Sequence, residues 1–270
     1  MSSATRAAPG PALGRPQAAL VAALLVLAAL AWWDTGQRME DMPASAGAGL
    51  GGVGFYTGLW VVMMAAMMFP SIAPVVVVYD RLRSSRRARG IRSPGPEASA
   101  FFVAGYLIAW TAAGLAAYAL LEVAGSFGGE VFAWDRAGRE VVAGVLLASA
   151  AYQLTPLKDR CLAHCRGPLM FLLEHWREGR LGATRMGIAH GAWCVGCCWA
   201  LMATLFALGL MSLGWMALVA ALIAGEKLLP RRVPAPHVVA GILLGLVLAI
   251  LLAPDLLPGV GRPAGAEMEM

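Results

Sequence analysis

Long runs of apolar residues, separated by short polar segments, dominate the chain. Runs of about 17 to 25 residues are long enough to cross a bilayer as helices. Backbone polar groups in lipid must be satisfied within the segment, so each run is predicted to be helical. The pattern therefore predicts an all-α fold, a polytopic transmembrane bundle of about seven helices. The predicted helices cover about residues 17–33, 55–79, 100–121, 140–157, 186–210, 212–229 and 236–253.

The apolar runs form one unit with no internal repeat. We predict a transmembrane helical domain over residues 17–253, flanked by disordered tails at 1–16 and 254–270, which are rich in Pro, Gly and Ala. The first helix could instead be a cleaved signal peptide, which would leave six helices. Its apolar run is longer than usual for a signal, and the small residues 44–46 lie well beyond its end. Retention is therefore favoured.

Composition and charge placement support a membrane protein. Hydrophobic residues make up 59% of the chain and charged residues only 14%, against about 25% charged in ordinary soluble domains. Seventeen of the 21 Lys and Arg residues fall in alternate connections between the helices. Positive residues concentrate in cytoplasmic loops, so the N-terminus is predicted to be cytoplasmic. The charges form no stripe on a folded surface, which argues against nucleic-acid binding.

Reactive side chains interrupt the fifth apolar run, MGIAHGAWCVGCCWALM at 186–202. At about 100° per residue, Met186, His190, Cys194 and Cys197 fall on one face of a helix, with Cys198 at its edge. Thioether, imidazole and thiolate groups suit Cu(I), Zn(II) or iron. Cysteine is also a common buried apolar residue. An ionisable group in lipid is costly and usually functional, so metal or redox chemistry is the favoured interpretation.

A second cluster, Cys161, His164 and Cys165, follows the fourth predicted helix near the cytoplasmic interface. Both clusters enter from the same side, and together they hold all five cysteines of the chain. The two clusters could therefore meet, and the sequence leaves open whether they form one site; for CLAHC alone, a reduced pair near the surface is an equal alternative. The following PLMFLLEHW segment is predicted to form a short helix at the membrane face, beginning at Pro168.

Two further features are weaker signals. Four methionines precede Pro70 and Pro74 in the second helix; we interpret them first as core packing and second as a Cu(I) path. The methionines are Met63, Met64, Met67 and Met68. The prolines are predicted to kink this helix and to free backbone groups that need hydrogen-bond partners from neighbouring helices or a polar cavity.

Glu226 and Lys227 are interpreted as an interfacial anchor at the end of the sixth predicted helix. The alternative is that the pair supplies a charge to a site near His190.

Three blocks of this sequence resemble a family of bacterial proteins of unknown function described as metal-binding integral membrane proteins. The blocks are YQLTPLKDRCLAHCRGPLMFLLEHWREG at 152–179, MGIAHGAWCVGCCWALM at 186–202 and GWMALVAALIAGEKLLP at 214–230, with MMAAMMFPS at 63–71 as an N-terminal signature. The resemblance covers about residues 55–230. It implies metal binding and residence in the bacterial inner membrane, and it points to His190 with Cys161, Cys165, Cys194, Cys197 and Cys198.

The leading hypothesis is a metal-binding membrane protein that handles copper, with zinc second, in trafficking, cofactor delivery or transport. Its partners would be the lipid bilayer, the metal ion and a donor or acceptor protein, and no catalytic residue is assigned. The alternative is a membrane thiol–disulfide oxidoreductase using Cys194 and Cys197, against which the reducing cytoplasm argues. A structural subunit ranks third. The predicted metal ligands are Met186, His190, Cys194, Cys197 and Cys198, joined by Cys161, His164 and Cys165.

Overall fold

A computed structural model describes residues 14–40, 52–91, 93–127, 134–208, 212–230 and 232–252. The described residues form helices and connections, with no strand among them, which confirms the predicted all-α bundle. The helices are α1 (Arg15–Glu40), α2 (Val53–Ala88), α3 (Ala98–Phe127), α4 (Trp134–Gln153), α5 (Pro156–Arg166), α6 (Pro168–His175), α7 (Gly179–Leu208), α8 (Leu213–Leu228) and α9 (Ala235–Leu252). The predicted tails and the residues 44–46 lie largely outside the described ranges.

Five helices are long and apolar enough to cross a membrane: α1, α2, α3, α7 and α9. A sixth span results if α4 and α5, which meet at 68°, are counted together. The sixth predicted helix, at 212–229, is the 16-residue α8, which is shorter than the roughly 20 residues that a bilayer requires. Large apolar side chains point outward, among them Trp33 (68% exposed), Leu120 (70%) and Leu252 (81%), as a lipid-facing surface requires.

The fourth predicted helix is wrong at its C-terminal end. The apolar run predicts a helix through residue 157, but α4 ends at Gln153, and α5 begins at Pro156 in a new direction. Proline disfavours helical geometry in the residue before it, and Thr155 is accordingly extended. The Thr155 hydroxyl then caps α5 by accepting a hydrogen bond from the Lys158 backbone N–H. The CLAHC cluster therefore lies on a helix that turns into the bundle.

α2 continues as one helix through Pro70 and Pro74. Pro70 has no N–H to donate to the Ala66 carbonyl one turn earlier. The indole N–H of Trp32 on α1 donates to this carbonyl instead, at 3.1 Å. The freed backbone group is thus satisfied by a neighbouring helix, as the sequence predicts.

α7 is the central helix of the bundle, and its closest partner is α3. The two backbones approach at glycine: a Cβ built on Gly187 would lie 2.0 Å from the Phe102 carbonyl oxygen, and one on Gly105 would lie 2.1 Å from the Thr184 carbonyl oxygen. Small residues at a helix crossing allow this approach. α5 and α8 pack against other sides of α7, so three neighbouring helices bring side chains to its middle.

Candidate metal centre

The stripe that the sequence predicts along α7 is buried in the bundle. Met186, His190, Cys194 and Cys197 are each at most 3% exposed, and Cys198 is fully buried. They share a face because steps of three and four residues bring helical side chains together. The predicted helix boundary at 186 lies seven residues too late, since α7 begins at Gly179.

Three cysteines of α7 form a compact group of sulfur atoms. The Sγ atoms of Cys194, Cys197 and Cys198 all lie within 4.8 Å of one another. The Cys197 and Cys198 thiols donate hydrogen bonds to the Cys194 carbonyl oxygen, at 3.1 and 2.9 Å. Metal–sulfur bonds of about 2.3 Å place coordinating sulfurs roughly 4 Å apart. This spacing suits a soft metal ion, and we call the three residues the thiol cluster.

α5 adds a fourth sulfur at the edge of the thiol cluster. Cys165 Sγ lies 3.6 Å from Cys197 Sγ, so the two cysteine groups meet, which the sequence leaves open. Cys161 is also buried, but its sulfur packs against the backbone at Gly196, where a Cβ would lie only 2.9 Å away. Gly196 therefore makes room for α5 to dock on α7.

His164 turns away from this cluster. Its ring stacks on Trp193 with centroids 3.9 Å apart, and its Nδ1 is 2.8 Å from the Arg160 carbonyl oxygen. It is half-buried at the flank of α7. The His164 ring thus stacks on Trp193 and bonds to the α5 backbone, and neither contact is with a cysteine.

His190 lies one turn from Cys194, among aromatic rings. Its ring centroid is 5.0 Å from that of Phe171 and 6.1 Å from those of Phe102 and Tyr106. Its Nδ1 is buried and has no hydrogen-bond partner among the described residues. Buried polar atoms are normally paired, so this nitrogen is free to bind a ligand.

The positive end of Lys227 lies against the thiol cluster. Its Nζ is 2.8 Å from Cys194 Sγ, 3.5 Å from Ser71 Oγ and 3.9 Å from Met68 Sδ. An ammonium at this distance balances the negative charge of a thiolate. The favoured interpretation of Lys227 as an interfacial anchor is therefore wrong, because its side chain turns inward from the end of α8.

Glu226 is likewise not an interfacial anchor. It is 1% exposed and forms an ion pair with the fully buried Lys158 of α5, with 2.6 Å between Lys158 Nζ and Glu226 Oε2. The second carboxylate oxygen has no hydrogen-bond partner among the described residues. A buried charge is tolerated when it is paired, and this pair joins α5 to α8 beside the thiol cluster.

Sequence reasoning missed two polar partners of the cluster. The Tyr106 hydroxyl lies 3.0 Å from Cys194 Sγ, and Ser71 lies beside Lys227. Each is a polar residue within an apolar helix, and this position is the feature of the sequence that could have indicated a role in the site. The four methionines of α2 are all buried in the core, as the favoured interpretation expects, and Met68 also contacts Lys227.

The fold and the site together define a helical bundle with an apolar exterior and a buried thiol cluster that could hold a soft metal ion. The chain matches the sequence model of a family described as PpoB2, copper chaperone, over residues 57–251. This range is well over half of the chain, and the chain belongs to that copper chaperone family. No curated protein and no solved structure matches it. The family agrees with the metal-related part of the resemblance noted from the sequence.

Proposed function

We propose that this protein is an integral membrane copper chaperone of the bacterial inner membrane. It holds Cu(I) in the thiol cluster and passes the ion to an acceptor protein. The observation that carries the proposal is the group of three sulfur atoms within 4.8 Å, with an ammonium against one of them. Membership of a copper chaperone family supports copper as the ion, and zinc is the second ion to test.

The ligands that we assign to Cu(I) are Cys194, Cys197 and Cys198, with Cys165 as an exchanging fourth sulfur. Cu(I) prefers thiolate ligands, and three thiolates around a monovalent ion leave two negative charges. The Lys227 ammonium, which contacts Cys194 Sγ, offsets one of these charges inside the bundle. Met186 and His190 are assigned as entry ligands along the same face of α7, and Cys161 and His164 are left out of the ligand set.

The test is an anaerobic Cu(I) titration of the full chain in detergent against a chromophoric Cu(I) chelator. Wild-type protein is expected to take up Cu(I) near stoichiometrically, and a Cys194→Ser/Cys197→Ser variant is expected to lose this capacity. Cys161→Ser is the matched control, since it removes a buried sulfur beside the cluster and should keep the capacity. Equal uptake by the double variant and the wild type would refute the assignment.

A thiol–disulfide exchange function is the second candidate. The observation that favours it is the 3.6 Å separation of Cys165 Sγ and Cys197 Sγ, which points to this pair instead of the Cys194 and Cys197 pair expected from the sequence. Trapping of a mixed disulfide with a partner protein through Cys197 in cells would support it. Complete reduction of both thiols in membranes prepared with rapid alkylation would argue against it.

A further inference from the structure

A cavity of about 360 Å³ opens beside the N-terminal part of α7. It is lined by His175, Arg177, Arg185, Met186 and Ala189. Met186 is 1% exposed and is also the first residue of the stripe that leads to Cys194. The cavity therefore lies between the surface of the protein and Met186, the first of the proposed entry ligands.

The rim of this cavity carries two arginines without acidic partners. In the described part of the chain, no carboxylate lies within 4.0 Å of Arg177 or Arg185, whereas the nearby Arg86 and Arg180 pair with Glu178 and Glu97. Both rim arginines are exposed. Arginine binds carboxylates through two parallel hydrogen bonds, so an unpaired pair of them favours an anionic ligand.

The inner wall of the cavity continues toward the metal-binding residues. The His175 ring stacks on Phe171 with centroids 4.6 Å apart, and Phe171 in turn meets the His190 ring. The buried His190 Nδ1, one turn beyond Met186, has no partner among the described residues. A ligand seated in the cavity would thus lie next to a thioether, with an unpaired imidazole nitrogen one turn deeper.

We infer that this cavity is the loading site for Cu(I) carried as an anionic complex of a small thiol that bears carboxylates. The inference rests on the proposed function. The arginines bind the carboxylates, and the copper–sulfur bond to the carrier breaks as a bond to Met186 Sδ forms. The carrier leaves with its electron pair as a thiolate, and copper remains Cu(I), so no electron is transferred. A cavity of this volume falls within the range that holds a drug-sized ligand, such as a short peptide.

The experiment compares copper loading of the full chain in detergent, under anaerobic conditions, from two donors. One donor is the Cu(I) complex of glutathione, which carries carboxylates, and the other is the Cu(I) complex of 2-mercaptoethanol, which carries none. Timed samples are desalted, and protein-bound copper is counted by mass spectrometry. The variant is Arg177→Gln/Arg185→Gln, and the matched control is Arg87→Gln/Arg89→Gln, which removes the same charge from exposed residues outside the cavity.

The loading rate from the glutathione complex is expected to fall about tenfold in the cavity variant, in line with electrostatic steering of charged ligands. Loading from 2-mercaptoethanol, the final copper content and the control variant should be unchanged. An unchanged rate in the cavity variant, or an equal loss in both variants, would overturn the loading site while leaving the chaperone function intact. Wild-type protein that gains no copper from either donor would instead overturn the proposed function, and the loading site with it.

Discussion

Lys227 Nζ lies 2.8 Å from Cys194 Sγ, although the two residues stand on different helices. This contact places a positive charge directly beside one sulfur of the thiol cluster, where it can offset the negative charge of a thiolate. In an apolar interior, an unpaired thiolate would be costly, and the ammonium removes that cost. Lys227 is thus a positioning and charge-balancing residue of the proposed copper site.

Replacing Lys227 with methionine removes the charge and keeps an unbranched side chain of similar length. We expect Lys227→Met to weaken Cu(I) binding by about 10- to 100-fold, as observed when partners of metal ligands are removed. Lys227→Arg keeps the positive charge and should retain most of the affinity. Competition with a Cu(I) chelator measures both variants, and equal affinities for Met and Arg at this position would contradict a role for the charge.

The ion pair of Lys158 and Glu226 predicts a thermodynamic coupling. Lys158→Met leaves the Glu226 carboxylate buried without its countercharge, which should cost about 3–5 kcal/mol of stability. Adding Glu226→Met should recover much of that loss, because the remaining charge is then removed. Thermal unfolding of the detergent-solubilised variants tests this, and a double variant no more stable than Lys158→Met would show that the pair is not coupled.

The close sulfurs of Cys165 and Cys197 predict sensitivity to oxidation. A disulfide of about 2.05 Å requires an approach of only about 1.5 Å from their present separation. Treatment of the copper-free protein with a mild thiol oxidant should produce this crosslink and abolish copper uptake. Peptide mapping identifies the bond. Cys165→Ser should prevent it, and a dominant crosslink between Cys194 and Cys197 in the wild type would refute this arrangement.

The helix crossing at Gly187 predicts a steric effect on the whole site. A Cβ at Gly187 would collide with the Phe102 backbone, so Gly187→Ala should force α3 and α7 apart and cost about 1–3 kcal/mol. Gly144→Ala on α4 is the matched control, because apart from neighbouring residues and backbone of its own helix no atom lies within 4 Å of the position that its new methyl group would take. The melting temperature in detergent should fall for the first variant and stay level or rise slightly for the second.

Helical periodicity was sufficient to predict the stripe on α7. The spacing of Met186, His190, Cys194 and Cys197 determines their common face whatever the tertiary structure, and all four prove buried. Pro168 likewise marks the start of α6. These features depend on local geometry, which a single sequence records directly.

The partners of Cys194 could not be predicted in the same way. Tyr106 is 88 residues away in sequence and Lys227 is 33 residues away. Their approach depends on how α3 and α8 pack against α7, and close glycine contacts account for the α3 crossing only. The bend before Pro156 had a local signal in the proline itself, but the proline lies within the last residues of the hydrophobic run that predicts the fourth helix.

The short helix α5 presents Lys158, Cys161 and Cys165 on one buried face. Lys158 neutralises Glu226, while Cys165 reaches the thiol cluster. Moving α5 out of the bundle to let copper leave would therefore separate Lys158 from Glu226. The Glu226 carboxylate would then be buried without its partner, at a cost of several kcal/mol. If the proposed function holds, copper would therefore enter and leave the thiol cluster along the same face of α7, while α5 stays docked.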